Sequence, residues 1–246
     1  MGVSFIRWFF RVHKCGGCGE ILIPERYYET FCEKCELAWK ASLTESCENC
    51  FLPAVECRCM PKQLSGAGAL CLRKLFFYKN ESSHSPQMNL IYLFKHRRVG
   101  RMIDFAADNL SKLVLDELGE FGISENPEKF IVSFVPRGRR GVTEYGYDHA
   151  ALIAEALAKI LGLECAPLLA SRLGAKVQKE LDKKQRLENA RKNIYFDAKY
   201  DLSGKAKYVI LIDDVVTSGA SMTVSVKSLI KNGASGVFCF SLARKK

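Results

Sequence analysis

Two acidic residues beside a hydroxyl-rich segment are the part of the chain best suited to chemistry. Asp213 and Asp214 follow the apolar run 209–212, VILI, which predicts a strand buried on both faces of a parallel sheet. The segment 217–221, TSGAS, then leads into a predicted helix from about Met222 to Asn232. Carboxylates at the carboxyl edge of a sheet face the crevice where open α/β folds bind ligands, and small residues at a helix N-terminus expose N–H groups to an anion. The arrangement suits a sugar phosphate, and the simpler alternative is a turn in which the aspartates only cap.

The whole run 209–221 resembles the phosphoribosyl pyrophosphate (PRPP) motif of type I phosphoribosyltransferases. That motif has four hydrophobic residues, two acids, two small or apolar residues and then Thr-Thr/Ser-Gly-x-Ser/Thr, and every position matches here. The match is much more specific than an isolated pair of acids after a strand. It predicts a PRPP site.

Eight cysteines within residues 15–59 form close pairs: Cys15 with Cys18, Cys32 with Cys35, Cys47 with Cys50, and Cys57 with Cys59. No signal sequence accompanies them, so we expect a reducing cytoplasm and metal binding rather than disulfides. Paired cysteines present thiolates tetrahedrally to Zn²⁺, and no histidine lies among them to suggest a catalytic ion. The pattern predicts two structural zinc sites, one for each successive set of four, although an interleaved pairing also fits the count.

The length and charge of the chain limit its class. The 246 residues suffice for one sizeable α/β core and a small satellite module. Residues 1–62 hold eight Lys/Arg and eight Asp/Glu, so the net charge of +10 falls entirely on residues 63–246. A basic domain favours polyanions such as PRPP or nucleic acid, although a solvated basic surface explains the charge as well.

No stretch has the roughly 20 apolar residues of a membrane span. The start, residues 1–14, predicts a short amphipathic helix, which is compatible with a cytoplasmic location near the inner face of the membrane.

Apolar patterns predict the elements that would position the site. Strands are expected at Leu75 to Tyr78, at Phe130 to Val135 and at Tyr195 to Phe196, and a last strand at Val237 to Leu242 should close the sheet. Helices are expected between Met88 and about Leu118, divided at Gly100, and from about Ala150 to Leu161. We therefore predict an α/β fold, with a central mainly parallel sheet flanked by helices in residues 67–246. Residues 1–66 should form a zinc ribbon module with a short N-terminal helix.

Three basic segments are candidates for binding phosphate or nucleic acid. Lys95, Arg97 and Arg98 lie where the two predicted helices meet, and a solvated face is the alternative there. The loop after strand 130–135 contains Arg137, Gly138, Arg139 and Arg140, whose charges and amides suit pyrophosphate. Lys183, Lys184 and Arg186 lie in residues 171–193, where eight Lys/Arg face three acids. So polar a segment should behave as a mobile lid.

The layout of nearly the whole chain resembles the ComF family of competence proteins, also written ComFC. These proteins join an N-terminal double zinc ribbon to a type I phosphoribosyltransferase domain. The resemblance is carried by the order of the cysteine pairs, by FKHRRVGR at 94–101, by Q-x-x-L and RLEN within 178–189, and by the motif at 209–221. One departure is the segment Gly146, Tyr147, Asp148 and His149, which stands where the family has Gly-Phe-Asn-Gln.

The resemblance implies roles for individual residues. Asp213 and Asp214 would act on the ribose hydroxyls and bound Mg²⁺ as the catalytic pair. The loop with Arg137 and Gly138 would hold pyrophosphate, and a lid around Gln178 to Arg191 would close. The residues of the motif implied to contact PRPP are Asp213, Asp214, Val215, Val216, Thr217, Ser218, Gly219, Ala220 and Ser221.

The resemblance also implies partners, namely single-stranded DNA and a competence helicase of the ComFA type. Three functions of different class remain open at this point. The chain is a PRPP-binding competence protein that handles single-stranded DNA, or a phosphoribosyltransferase with an unidentified acceptor, or a regulator for which PRPP is only a ligand.

Overall fold

The computed structural model describes residues 13–26, 29–78, 85–96, 100–137, 146–172, 183–202 and 207–246. The helices are α1 (Glu33–Leu43), α2 (Lys62–Ser65), α3 (Pro86–His96), α4 (Gly100–Leu118), α5 (His149–Leu161), α6 (Lys183–Asn193) and α7 (Ala220–Lys231). The strands are β1 (Ala69–Tyr78), β2 (Phe130–Phe134), β3 (Glu164–Cys165), β4 (Leu169–Ser171), β5 (Ile194–Phe196), β6 (Tyr208–Val216) and β7 (Gly236–Lys245). Among the described residues, no helix has both the length and the apolar character needed to cross a membrane.

Strand β6, which carries the acidic pair, lies at the centre of a parallel sheet. The strand order within the described residues is β1-β7-β6-β2-β3, and each neighbouring pair runs parallel. The predicted run 209–212 forms the middle of β6, and all four side chains are completely buried. A central strand needs such a continuous apolar run because both faces of a parallel sheet are covered.

Two apolar cores lie on the two faces of this sheet. Helices α3, α4 and α5 pack on the face toward which Ile210 and Ile212 point. Helices α2, α6 and α7 and the antiparallel pair β4–β5 pack on the other face, with Val209 and Leu211. Successive side chains of a strand alternate in this way. The predicted α/β fold, with its central parallel sheet and an N-terminal cysteine-rich module, is confirmed.

The ends and the order of the strands differ from the prediction in three places. Strand β6 continues through both aspartates to Val216, because its partner β7 stays in register as far as Arg244. Strand β7 lies between β1 and β6 rather than at an edge of the sheet. Strand β1 begins at Ala69 rather than Leu75, since it pairs with β7 from that residue onward. These strands also contain polar residues, so the apolar runs in the sequence indicated shorter strands than the structure has.

The predicted helices are found close to their expected positions. Helices α3 and α4 are separate and α4 begins at Gly100, while α5 begins one residue before the predicted start. The N-terminal helix predicted for residues 1–14 falls almost entirely outside the described residues. The proposed division of the chain after residue 66 falls between α2 and β1, and Leu64 of α2 is buried in the core of the sheet.

Candidate functional site

Asp213 and Asp214 lie half-buried near the carboxyl end of β6. Each carboxylate accepts a hydrogen bond from the next N–H group, at 2.9 Å from Asp214 to Asp213 and at 2.6 Å from Val215 to Asp214. Burial raises the pKa of Asp213 well above its usual range, and the charges of Asp214 and Asp148 raise it further. Hydroxyl donors or a cation would relieve this repulsion, so the pair is suited to a polyhydroxyl ligand or a metal-bound one.

Asp148 is a third carboxylate at this end of the sheet. It caps α5, because its Oδ1 accepts the N–H groups of Ala150 at 3.0 Å and Ala151 at 3.4 Å. Its Oδ2 accepts the N–H of Arg137 at 2.8 Å, which ties the loop after β2 to the start of the helix. Burial raises the pKa of Asp148, although the N–H groups of Arg137 and Ala151 act against that shift.

Arg137, a predicted pyrophosphate residue, is fixed beside the acidic pair. The N–H of Val135 donates to the carbonyl of Ile212 at 2.9 Å, so the chain after β2 stays next to the end of β6. The Nη1 of Arg137 lies 2.6 Å from Nδ1 of His149, the first residue of α5. A guanidinium therefore lies near Asp148, whose charge in turn interacts with that of Asp214.

The bend between β6 and α7 is built around Gly219. Its φ of 74° lies in the left-handed region that favours glycine. A Cβ at this position would also lie 3.2 Å from Cγ of Pro61, so Pro61 would have to shift slightly to admit a side chain. The Oγ of Ser218 accepts the N–H of Ala220 at 3.4 Å. The bend thus brings the hydroxyls of Thr217 and Ser218 to the N-terminus of α7, where anions are favoured.

A groove of about 420 Å³ opens beside this bend. Its volume is within the range of roughly 300–1,000 Å³ that is usual for small-molecule sites. Hydroxyl groups and two cationic side chains face it, which is the chemistry of a phosphate site. The lining residues are Pro61, Lys62, Gln63, Thr217, Ser218 and Arg244.

Arg186 is the predicted nucleic-acid candidate whose side chain the structure describes. Its Nη1 donates to Oγ1 of Thr217 at 3.4 Å, which brings α6 to the same bend. Lys95 lies in α3, and Lys183 and Lys184 begin α6, but their side chains are outside the described part of the structure. The remaining predicted residues outside the described ranges are Arg97, Arg98, Gly138, Arg139 and Arg140, together with residues 173–182 of the expected lid.

The eight cysteines form two groups of four. The first cysteine group is Cys15, Cys18, Cys32 and Cys35, and the second cysteine group is Cys47, Cys50, Cys57 and Cys59. The sulfur atoms of each group lie within 4.8 Å of one another, so each group could hold one zinc ion. The successive pairing predicted from the sequence is found, and the interleaved pairing is not.

Hydrogen bonds in each group favour the thiolate, the form that binds zinc, at one cysteine. The Sγ of Cys15 accepts the N–H groups of Gly17 at 3.3 Å and Cys32 at 3.2 Å. Burial acts to raise the pKa of Cys15, but such bonds lower it to about 7. In the second group, N–H groups likewise outweigh burial and lower the pKa of Cys47 to about 6. Burial and the neighbouring thiols raise the pKa of Cys59 to about 12, a repulsion that a divalent cation would remove.

Lys74 is a buried side chain for which negative charge in the second cysteine group would compensate. This lysine of β1 is completely buried, its Nζ donates to the carbonyl of Cys57, and it lies 5.4 Å from the centre of the Phe77 ring. No carboxylate of the described residues forms an ion pair with it, and burial lowers its pKa while the thiolates of Cys57 and Cys47 act to raise it. An ammonium so deeply buried requires compensation. A four-thiolate zinc site, with two negative charges, would supply it.

Several residues that the structure brings to these sites are not marked as site residues by the sequence. Asp148 could have been found, because an aspartate directly before an apolar helical pattern is an N-cap signal. Lys74 and Arg244 lie in strands whose other residues are mainly apolar. No feature of the neighbouring sequence indicates a role for either residue at a site. Residues 61–63 meet Thr217 and Ser218 only through the fold, since more than a hundred positions separate them in the chain.

No protein-family model matches the chain, and no curated protein matches it. Among solved structures, a crystal structure of phosphoribosylpyrophosphate synthetase from Mycobacterium smegmatis matches with a TM-score of 0.33 at 20% sequence identity. The match covers 55% of this chain and 33% of that chain. What this chain does must therefore be decided from the residues of its own site.

Proposed function

We propose that this protein binds PRPP at the crevice between the end of β6 and the start of α7. The observation that carries the proposal is the position of the acidic pair directly before a glycine-centred bend that borders a cationic groove. The carboxylates would accept the ribose hydroxyls, and Thr217 to Ser221 would bind the 5′-phosphate. Arg137 and Gly138 would bind pyrophosphate. Each group of the ligand thereby meets a group of opposite polarity.

Mg²⁺ is expected to accompany PRPP rather than to occupy a site of its own. In the described part of the chain, the cysteine groups are the places where three or more metal-binding side chains come within reach of one ion. The phosphates would therefore hold most of the Mg²⁺ coordination, with Asp213 and Asp214 nearby. When bound, the ion would neutralise negative charge on the pyrophosphate.

Replacing Gly219 by alanine tests this proposal. The left-handed φ and the contact with Pro61 would distort the bend, so Gly219→Ala should weaken PRPP binding by at least about tenfold. Gly162→Ala is the matched control, because Gly162 has a φ of 66° at the end of α5, away from the site. Isothermal titration with PRPP and Mg²⁺ measures the affinity. Wild-type protein that does not bind PRPP, or equal loss in both variants, would reject the site.

A phosphoribosyltransferase is the second candidate, favoured by the raised pKa values of Asp148 and Asp213. Perturbed carboxyl groups cluster at catalytic sites. A transferase must stabilise positive charge at the anomeric carbon and negative charge on the departing pyrophosphate, and Arg137 supports the second requirement. PRPP-dependent release of pyrophosphate, lost in Asp214→Asn, would establish activity. PRPP that binds and is never consumed, across nucleobases and DNA, would indicate a ligand instead.

We also propose, from the resemblance to the ComF family, that the protein handles single-stranded DNA in the cytoplasm during natural transformation, beside a helicase of the ComFA type. The basic residues 63–246, which hold the entire excess charge, support this role. Anisotropy titration of a labelled oligonucleotide should show binding that weakens steeply as salt is added. Absence of binding at low salt would rule the role out. If PRPP acts as a regulator, it should change this affinity without being consumed.

A further inference from the structure

Three cationic side chains of the sheet hold the segment that carries the last two zinc ligands. Arg73 donates to the carbonyl of Val55 at 2.8 Å, Lys74 donates to that of Cys57, and Arg244 donates to that of Cys59. The carbonyls of every second residue from Val55 to Cys59 are thus bound one after another. The second cysteine group is therefore attached to β1 and β7 by directed bonds as well as by apolar contact with Phe77.

The same segment continues directly into the groove beside Thr217 and Ser218, called the phosphate groove below. Pro61, two residues after Cys59, packs against Gly219, and the next two residues line the groove. The Nε2 of Gln63 donates to the carbonyl of Ser218 at 2.7 Å. One wall of the groove is therefore the chain that leaves the second cysteine group, and the other wall is the bend before α7.

Arg244 contacts both walls of the groove. Its backbone pairs with Val216, the last residue of β6, while its guanidinium binds the carbonyl of Cys59 and faces the groove. A change in the path of the chain at Cys59 would move this guanidinium. It would also move Lys62, the second cation of the groove.

The first cysteine group has no such connection among the described residues. The carbonyl of Gly17 accepts from Asn89 of α3, and the carbonyl of Lys14 accepts from Arg101 of α4 at 2.7 Å. These contacts run to the helices on one face of the sheet. The first group therefore serves as a control within the same molecule.

We propose that the second cysteine group, when it holds its metal ion, fixes residues 60–63 and Arg244 as a wall of the phosphate groove. Zinc at this group then orders the bend at 217–221 and increases affinity for phosphate ligands. Gln63 and Arg244 act as positioning residues, and Lys62 supplies charge to the ligand. The order of the bend does not depend on the identity of the ligand, whereas the effect on affinity rests on the proposed PRPP site.

Hydrogen–deuterium exchange of the ligand-free protein tests the ordering of the bend. Cys59→Ser should release one zinc ion and increase amide exchange in residues 217–221 by at least about tenfold. Cys18→Ser, which removes an exposed ligand of the first group, should also release one ion but leave that exchange unchanged. Cys59→His, which keeps a zinc ligand, should restore both zinc content and slow exchange. Unchanged exchange in Cys59→Ser after loss of its ion, or an equal effect of Cys18→Ser, would overturn the proposal.

Variants that keep all eight thiols test the same link without removing zinc. Arg244→Gln should weaken PRPP binding by about tenfold, because a charged hydrogen bond to the wall is lost. Lys245→Gln removes the same charge from the adjacent exposed residue and should change affinity less than about twofold. Equal effects of the two variants would contradict a positioning role for Arg244. If the wild-type protein does not bind PRPP, the proposed function fails, while the exchange measurement still decides whether zinc orders the bend.

Discussion

In both cysteine groups, the first C-x-x-C pair folds into the same turn. In each group, the residue directly before the first cysteine forms a β-bridge with the residue six positions after that cysteine. The fourth residue after the same cysteine donates its N–H to the cysteine carbonyl at 2.9 Å. The bridges are Lys14 with Ile21 and Ser46 with Pro53, and the donors are Gly19 and Phe51. Locally, the two groups are therefore copies of one metal-binding turn.

The surroundings of the two groups are different. Cys15 and Cys35 are buried with Trp39 in the main core, the one that also contains helices α3 to α5. The centroid of the Trp39 ring lies 5.8 Å from that of Phe31 and 5.5 Å from that of Phe76. The second group forms a small separate cluster on Phe77 and is held by directed bonds from the sheet. The same turn thus contributes to a large core in one place, and in the other it precedes the segment that lines the groove beside residues 217 and 218. The two groups therefore differ in their surroundings rather than in the turn, and we expect that difference to decide what each group contributes.

Removing a buried zinc ligand from each group should give the largest contrast. We expect Cys35→Ala to lower the free energy of unfolding by roughly 5 kcal/mol, because metal and main-core packing are lost together. Cys57→Ala should lower it by roughly half as much, since its cluster is small. Urea unfolding, with zinc content measured on the same samples, checks both values. An equal or larger loss in Cys57→Ala would contradict the difference between the groups.

Replacing Lys74 by methionine should weaken zinc binding at the second group alone. The variant keeps the volume of the side chain but removes the buried positive charge that faces Cys57. Changes in such supporting interactions lower metal affinity by about 10–100-fold, and we expect the lower end of that range. Competition with a chromophoric chelator should detect one weakened ion and one unchanged ion. Two unchanged ions would show that Lys74 does not compensate the charge of the thiolates.

The shared turn also predicts a small stability difference between its two copies. Gly19 has a φ of 80° in the first copy, whereas Phe51 has a φ of 60° in the second and is 78% exposed. Phe51→Gly should therefore stabilise the protein by about 1 kcal/mol, and Gly19→Ala should destabilise it by a similar amount. Thermal unfolding measures both. A loss of stability in Phe51→Gly would indicate that the phenyl ring makes stabilising contacts.

The sequence predicted these regions unequally, for physical reasons. The apolar run 209–212 and the cysteine spacing are local signals, so the central strand and both cysteine groups were found correctly. The environment of the second group depends on Lys74 and Arg244, which come together with Cys57 and Cys59 only when β1 and β7 pair. Residues 61–63 were assigned to the zinc ribbon module, because their proline and polar side chains give no sign in the sequence of the groove that they line.

Asp213→Asn should show how the charge of Asp213 affects the stability of the folded protein. The folded-state pKa of Asp213 is raised by burial and by Asp214, so its charged form destabilises the folded protein at pH values above that pKa. The substitution should raise the melting temperature near neutral pH, and the gain should shrink as the pH is lowered from about 8 to about 5. Thermal unfolding over this range tests the sign. A lower melting temperature at neutral pH would show that the carboxylate stabilises the fold instead.

The most direct test of the account is titration of PRPP with Mg²⁺ into the wild-type protein and into the double variant Asp213→Asn/Asp214→Asn. The wild-type protein should bind PRPP at one site per chain. The double variant should keep its zinc and its fold and lose about 100-fold in affinity, since two carboxylates no longer accept the ribose hydroxyls. A double variant that binds PRPP as tightly as the wild-type protein, or a wild-type protein that does not bind it, would contradict the account.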